Sequence, residues 1–209
     1  MSDAQMGATP ALWQAVHGIE NASSLDGTAS TVQSVAATLE RSGAAAALRG
    51  DWLGHSLHPL LTDLPLGCWT AATLLDVTAL RRGDLAARRL VGLGILFAAP
   101  TAASGLVDYA TVREPRARRV GAVHGIGNAV ATLLYLVSWR SRRRGHHIRG
   151  MVMSTLGGLA AIATGYLGGH LSFVLGVGSG TRGRLPDDPV VKVPAHGEEA
   201  ELAARDDAG

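Results

Sequence analysis

Between residues 60 and 171 the chain alternates long apolar segments with short arginine-rich breaks. The apolar segments run from about 60 to 80, 90 to 110, 120 to 139 and 151 to 171. Each approaches the roughly 20 residues that a helix needs to cross a bilayer at about 1.5 Å rise per residue. The breaks are RRGDLAARR (81–89), REPRARR (113–119) and RSRRRGHHIR (140–149). Soluble helices show a polar face, and these segments mostly lack one. The pattern predicts an all-α fold, an integral membrane four-helix bundle.

The flanks have a different pattern. In PALWQAVHGIE, Leu12, Val16 and Ile19 fall at i, i+4 and i+7, which predicts an amphipathic helix. NASSLDGTAS reads as a loop, and STVQSVAATLERSGAAAALRG as a second helix ended by Gly50. Residues 1–50 are then short amphipathic helices that lie on the membrane surface or dock on the bundle. Residues 51–178 form the four-span domain. Residues 179–209, rich in Gly, Pro and charge, read as a flexible, disordered tail. No basic stretch followed by an apolar core opens the chain, so a cleaved signal peptide is not expected.

Composition sharpens the membrane reading. Hydrophobic residues make up 47% of the chain, charged ones 17% and aromatics 4%, with 27 glycines, a balance that suits close helix packing through small residues. One cysteine, Cys68, excludes an internal disulfide framework. The arginine runs carry no interleaved stacking aromatics, so they read as topogenic and lipid-facing rather than as a nucleic-acid site. A multi-pass protein of the cell (inner or plasma) membrane is expected, with both termini on one side. Arginine counts lean toward the 81–89 and 140–149 loops being cytoplasmic, by a margin too thin to fix orientation.

Threading that topology gathers the polar residues of the spans. His55, His58 and Asp63 open the first span on the terminal side, and Asp108 and Tyr109 close the second there. His124 and Asn128 enter the third from that side, and Tyr166 and His170 close the fourth on it. The pairs 104/108, 124/128 and 166/170 are each i, i+4, one stripe of a helix. Gly121 with Gly125, and Gly165 with Gly169, form GxxxG pairs that favour close helix approach. Ionisable groups inside a span are costly and mark functional sites. One shared polar site in one leaflet is expected, with Asp76 apart near Arg81 and Arg82, where it can pair or stay wet.

The segments WLGHSLHPLLTDLPLGCWTAATLLD, GLVDYA, VGAVHGIGNAV and GYLGGHLSFVLGVG resemble the bacterial domain-of-unknown-function family 2231 over about residues 50 to 178. Its members are four-helix membrane proteins opening with GHPxHP, and Ser56 stands where the family usually has proline. Some relatives are followed by a Rieske-type iron–sulfur domain, but the tail here has no cysteine and only His196. The resemblance implies a fold and no established activity.

Three functions fit such a site. His55, His58, His124 and His170 are candidates for axial ligation of haem b, with Arg118 or Arg119 on the propionates and an iron–sulfur or other redox protein as partner. Alternatively, His58, Asp63, Asp108, His124 and His170 form a transition-metal or proton-handling site. Asn128, Tyr109 and Tyr166 would support the ligands from behind. Thirdly, the polar cluster fixes helix register in a membrane scaffold or homo-oligomer. No GxSxG elbow is present, and a stand-alone enzyme is not expected.

Overall fold

The structure, a computed structural model, describes residues 10–79 and 83–177. Arg81, Arg82 and the tail from 178 onward lie outside the described residues, and so does the expectation that this tail is disordered. Within the described residues the chain is helical, with no strand.

Four long helices carry the fold: α4 (His58–Thr78), α5 (Asp84–Ala110), α6 (Pro115–Arg143) and α7 (His147–Phe173). They are preceded by α1 (Pro10–Asn21), α2 (Asp26–Glu40) and the short α3 (Ala45–Arg49). By length and composition α5, α6 and α7 can cross a membrane. The 21-residue α4 falls short of that composition, because His58, Pro59, Asp63, Pro65 and Asp76 dilute its apolar residues. The long helices also extend into the edges of the arginine-rich breaks. The α6 helix starts inside REPRARR, where Glu114 is the N-cap, its carboxylate accepting from the Ala117 N–H, and Pro115 occupies the first turn.

The packing follows a repeat of seven. The inward positions of α4 are His58, Thr62, Pro65, Trp69, Ala72 and Asp76, spaced alternately by four and three. On α6 the same spacing picks out His124, Asn128, Ala131, Tyr135, Ser138 and Arg142. On α7 it picks out Gly150, Ser154, Gly157, Ala161, Thr164 and Gly168. Such spacing keeps one stripe facing a near-parallel or antiparallel neighbour. Small residues on α7 let α6 approach, and α4 pairs in the same way with α5. Trp69 and Tyr135 stack at 4.0 Å in the middle of the bundle.

Pro65 cannot donate to the Leu61 carbonyl. The Thr101 hydroxyl of α5 lies 3.1 Å from that carbonyl and 2.8 Å from the Phe97 carbonyl, so its one proton is shared between the two acceptors. An apolar surround favours such sharing.

The N-terminal helices dock on the end of the bundle where α5 closes and α6 begins. Val16 is buried against Val120, Leu167 and Leu171, with Ile19 beside it, whereas Leu12 is exposed. The expected loop NASSLDGTAS is largely helical, because Asp26 opens α2 and the Arg119 guanidinium grips its carboxylate at 2.7 and 3.0 Å. The expected single second helix breaks at residues 41–44 into α2 and α3. Gly50 ends α3 at φ 85°, a left-handed conformation in which a Cβ would also sit 2.5 Å from the His55 carbonyl oxygen.

Candidate functional site

His58 and His124 face each other across α4 and α6, ring centroids 6.4 Å apart and planes at 86°. Each ring rests in a glycine notch. A Cβ on Gly105 would lie 2.8 Å from the His58 ring, and one on Gly168 2.8 Å from the His124 ring.

Their hydrogen bonds differ. His58 donates from Nδ1 to the Thr101 carbonyl at 2.9 Å, which leaves its Nε2 lone pair toward other partners. His124 donates from Nδ1 to the Thr164 carbonyl at 2.8 Å, and its Nε2 accepts from the Asn128 amide at 3.0 Å. Asn128 in turn accepts from the Thr164 hydroxyl at 2.7 Å. The circuit starts and ends on Thr164. The Thr164 carbonyl requires a proton on His124 Nδ1, and the Asn128 amide engages Nε2. A proton on its Nε2 would require the Asn128 amide to turn over, which the Thr164 hydroxyl permits by accepting from it while donating to the Ala161 carbonyl at 3.2 Å.

Asp108 lies near this pair along the chain of contacts. It follows Thr101 and Gly105 on one face of α5 and accepts from the Ser56 hydroxyl, two residues before His58. The serine that departs from the GHPxHP pattern therefore ties the entry of α4 to α5.

The other expected members lie elsewhere. His55 is exposed, with Nδ1 3.2 Å from the neighbouring Ser56 carbonyl, and Asp63 is exposed outside the inward stripe of α4. His170 donates to Glu20 at 2.6 Å, and His17 holds the other Glu20 oxygen at 2.5 Å. Tyr166 is exposed. Tyr109 packs on Gly121 and donates to the Arg118 carbonyl at 2.8 Å, locking the α5–α6 turn. Among the described residues no three or more His, Cys, Asp or Glu side chains gather to hold a metal ion. Arg118 and Arg119, expected near propionates, instead bind Ser30, Asp26 and the Glu20 carbonyl of the N-terminal helices. With both ring nitrogens of His124 and Nε2 of His170 engaged, this arrangement does not fit a haem held between two histidines.

Glu20 is an unforeseen buried carboxylate. Burial works to raise its pKa, but the hydrogen bonds and charges of His170 and His17 outweigh it and hold the carboxyl below its ordinary range. A group depressed in the folded state contributes stability above its unfolded pKa and loses it as pH falls through the folded one. The docking of α1 is therefore expected to persist down to the ordinary glutamate value of about 4.3 and to weaken only below it. Hydrogen exchange of the α1 amides across that range checks this. Loosening of α1 already at about pH 6, above that ordinary value, would contradict the assignment.

A second polar cluster occupies the opposite end. Arg142 is buried and grips both oxygens of Asp76, reaches Asp84 at 3.1 Å, and lies 3.3 Å from Ser138 Oγ. His147 Nδ1 stands 2.8 Å from Asp84, an ion-pair distance. Asp76 is thus neither wet nor left to the 81–82 arginines for a partner. The sequence carried one signal for this cluster, the seven-residue stripe that leads from His124 to Arg142.

The fold and its polar ends define a class: an all-helical protein with three membrane-length apolar helices and ionisable groups held between them. The chain belongs to the domain-of-unknown-function family DUF2231, described as a predicted membrane protein, which matches residues 54–181. No curated protein and no solved structure matches it. The helices α1 to α3 precede the matched region.

Proposed function

We infer that α4 to α7 cross the cell membrane as a four-span bundle, both termini on one side, and that the bundle handles protons at His58. The observation that carries this reading is the asymmetry of the His58–His124 pair. Both ring nitrogens of His124 are engaged in a closed hydrogen-bond circuit, while His58 keeps Nε2 for an exchangeable proton. Imidazole is the side chain whose charge changes most readily near neutral pH. His58 can accept at Nε2 without giving up its Nδ1–H bond to Thr101, and Asp108 is the next carboxylate along that wall.

Purified protein reconstituted in vesicles with a trapped pH-sensitive dye tests this. Proton movement is expected in the wild type and in His55→Gln, and not in His58→Gln. Equal rates in wild type and His58→Gln would refute the reading. The haem alternative requires His124 to release Asn128 and turn Nε2 toward an iron. It predicts a Soret band in protein expressed with ample haem, abolished by both His58→Ala and His124→Ala, and none is expected.

A further inference from the structure

We propose that the end of the α6–α7 hairpin binds the headgroup of an anionic phospholipid. A cavity of about 210 Å³ opens there, lined by Val137, Arg140, Ser141, Arg144, His146 and Arg149. At about 30 Å³ per water molecule it has room for a phosphate group with bound water. Three arginines line it, and its lining contains no carboxylate. Three arginines elsewhere are matched to acids: Arg49 with Glu40, Arg119 with Asp26, Arg142 with Asp76. Here the counter-charge is missing from the walls, and guanidinium forks suit phosphate oxygens.

The shape of α6 selects a lipid over free phosphate. Arg140 and Arg144 continue a stripe whose earlier positions are Val130, Leu133 and Val137, all exposed. Their alternating spacing of three and four keeps them on one face. A phospholipid lying along that face would set its acyl chain on the three apolar residues and its phosphate among the arginines. Basic pockets at the ends of spans recognise anionic headgroups in this way. Arg143 is outside the cavity, its guanidinium 4.7 Å from the Trp139 ring centroid.

The inference rests on the membrane-spanning reading and is independent of proton handling. The full chain in neutral detergent, offered equal phosphatidylglycerol and phosphatidylcholine, is read by native mass spectrometry. Preferential retention of phosphatidylglycerol is expected. The variant with Arg140→Gln, Arg144→Gln and Arg149→Gln should lose about a hundredfold in affinity, at roughly fivefold per arginine, and Arg143→Gln should stay within about twofold. Unchanged selectivity in the triple variant overturns the proposal. So does displacement of the lipid by millimolar inorganic phosphate, which would mark a soluble anion site. Alkaline carbonate extraction of native membranes reports separately on spanning. Release of the chain sinks the spanning reading, whereas loss of selectivity in a chain that stays in the membrane sinks the lipid site alone.

Discussion

Arg142→Leu is expected to lower the unfolding free energy by about 3–5 kcal/mol, the cost of removing one partner of a buried ion pair. The guanidinium sits between α4, α5 and α7, so its loss leaves Asp76 buried without its cation and Asp84 with His147 alone. Arg142→Lys should recover little, since one ammonium cannot repeat the two-pronged grip on Asp76 while reaching Asp84. Pairing Arg142→Leu with Asp76→Leu should recover a large part of the loss, because the uncompensated charge goes with its partner. Denaturation of the purified protein in detergent, run as a double-mutant cycle, measures all three. A loss below about 1 kcal/mol for Arg142→Leu would place the cluster among wet surface pairs.

That cluster marks where sequence reading stops. Three of the four apolar segments, those in α5, α6 and α7, were legible as membrane-length helices because bilayer thickness and helix rise fix their length. The first is helical but less apolar. Each lies within one observed helix, except that the first was drawn to residue 80 and α4 ends at Thr78. Their ends were not legible. Charge is a sound marker of the hydrocarbon boundary but not of the helix boundary, so RSRRRGHHIR looked like a loop while α6 runs through Arg143 and places Arg142 inward. Of the terminal-side polar residues, His58 and His124 face each other, while His170 and Tyr109 have partners elsewhere. Periodicity says which face a residue is on, whereas Glu20 meeting His170 is a contact across 150 positions. The pairing of His124 with Asn128 was readable because both ends lie on one helix. Its closure through Thr164 needed the packing of α6 on α7.

Glycine spacing picked out Gly121, which packs on Tyr109, but also Gly125 and Gly165, which pack on nothing, and a paired substitution shows the difference. Alanine at Gly94 or Gly127 is expected to destabilise the protein by about 1–3 kcal/mol, as overpacking of a filled core does. A Cβ at Gly94 would overlap the Trp69 indole nitrogen, and one at Gly127 would overlap the Thr164 methyl group. Trp69 cannot step aside cheaply, because its ring is stacked on Tyr135. Thr164 cannot either, because it both opens and closes the His124 circuit. Gly125 and Gly165, each from a GxxxG pair, have open space where a Cβ would point, with nothing within 4 Å, and should accept alanine with no loss of stability. Gly127→Ala should also disturb His124, so its imidazole signals should shift in the NMR spectrum while those of Gly125→Ala match the wild type. If Gly125→Ala and Gly165→Ala prove the damaging pair, the GxxxG faces are buried against a second copy of the chain, and the inward stripes assigned to α6 and α7 are wrong.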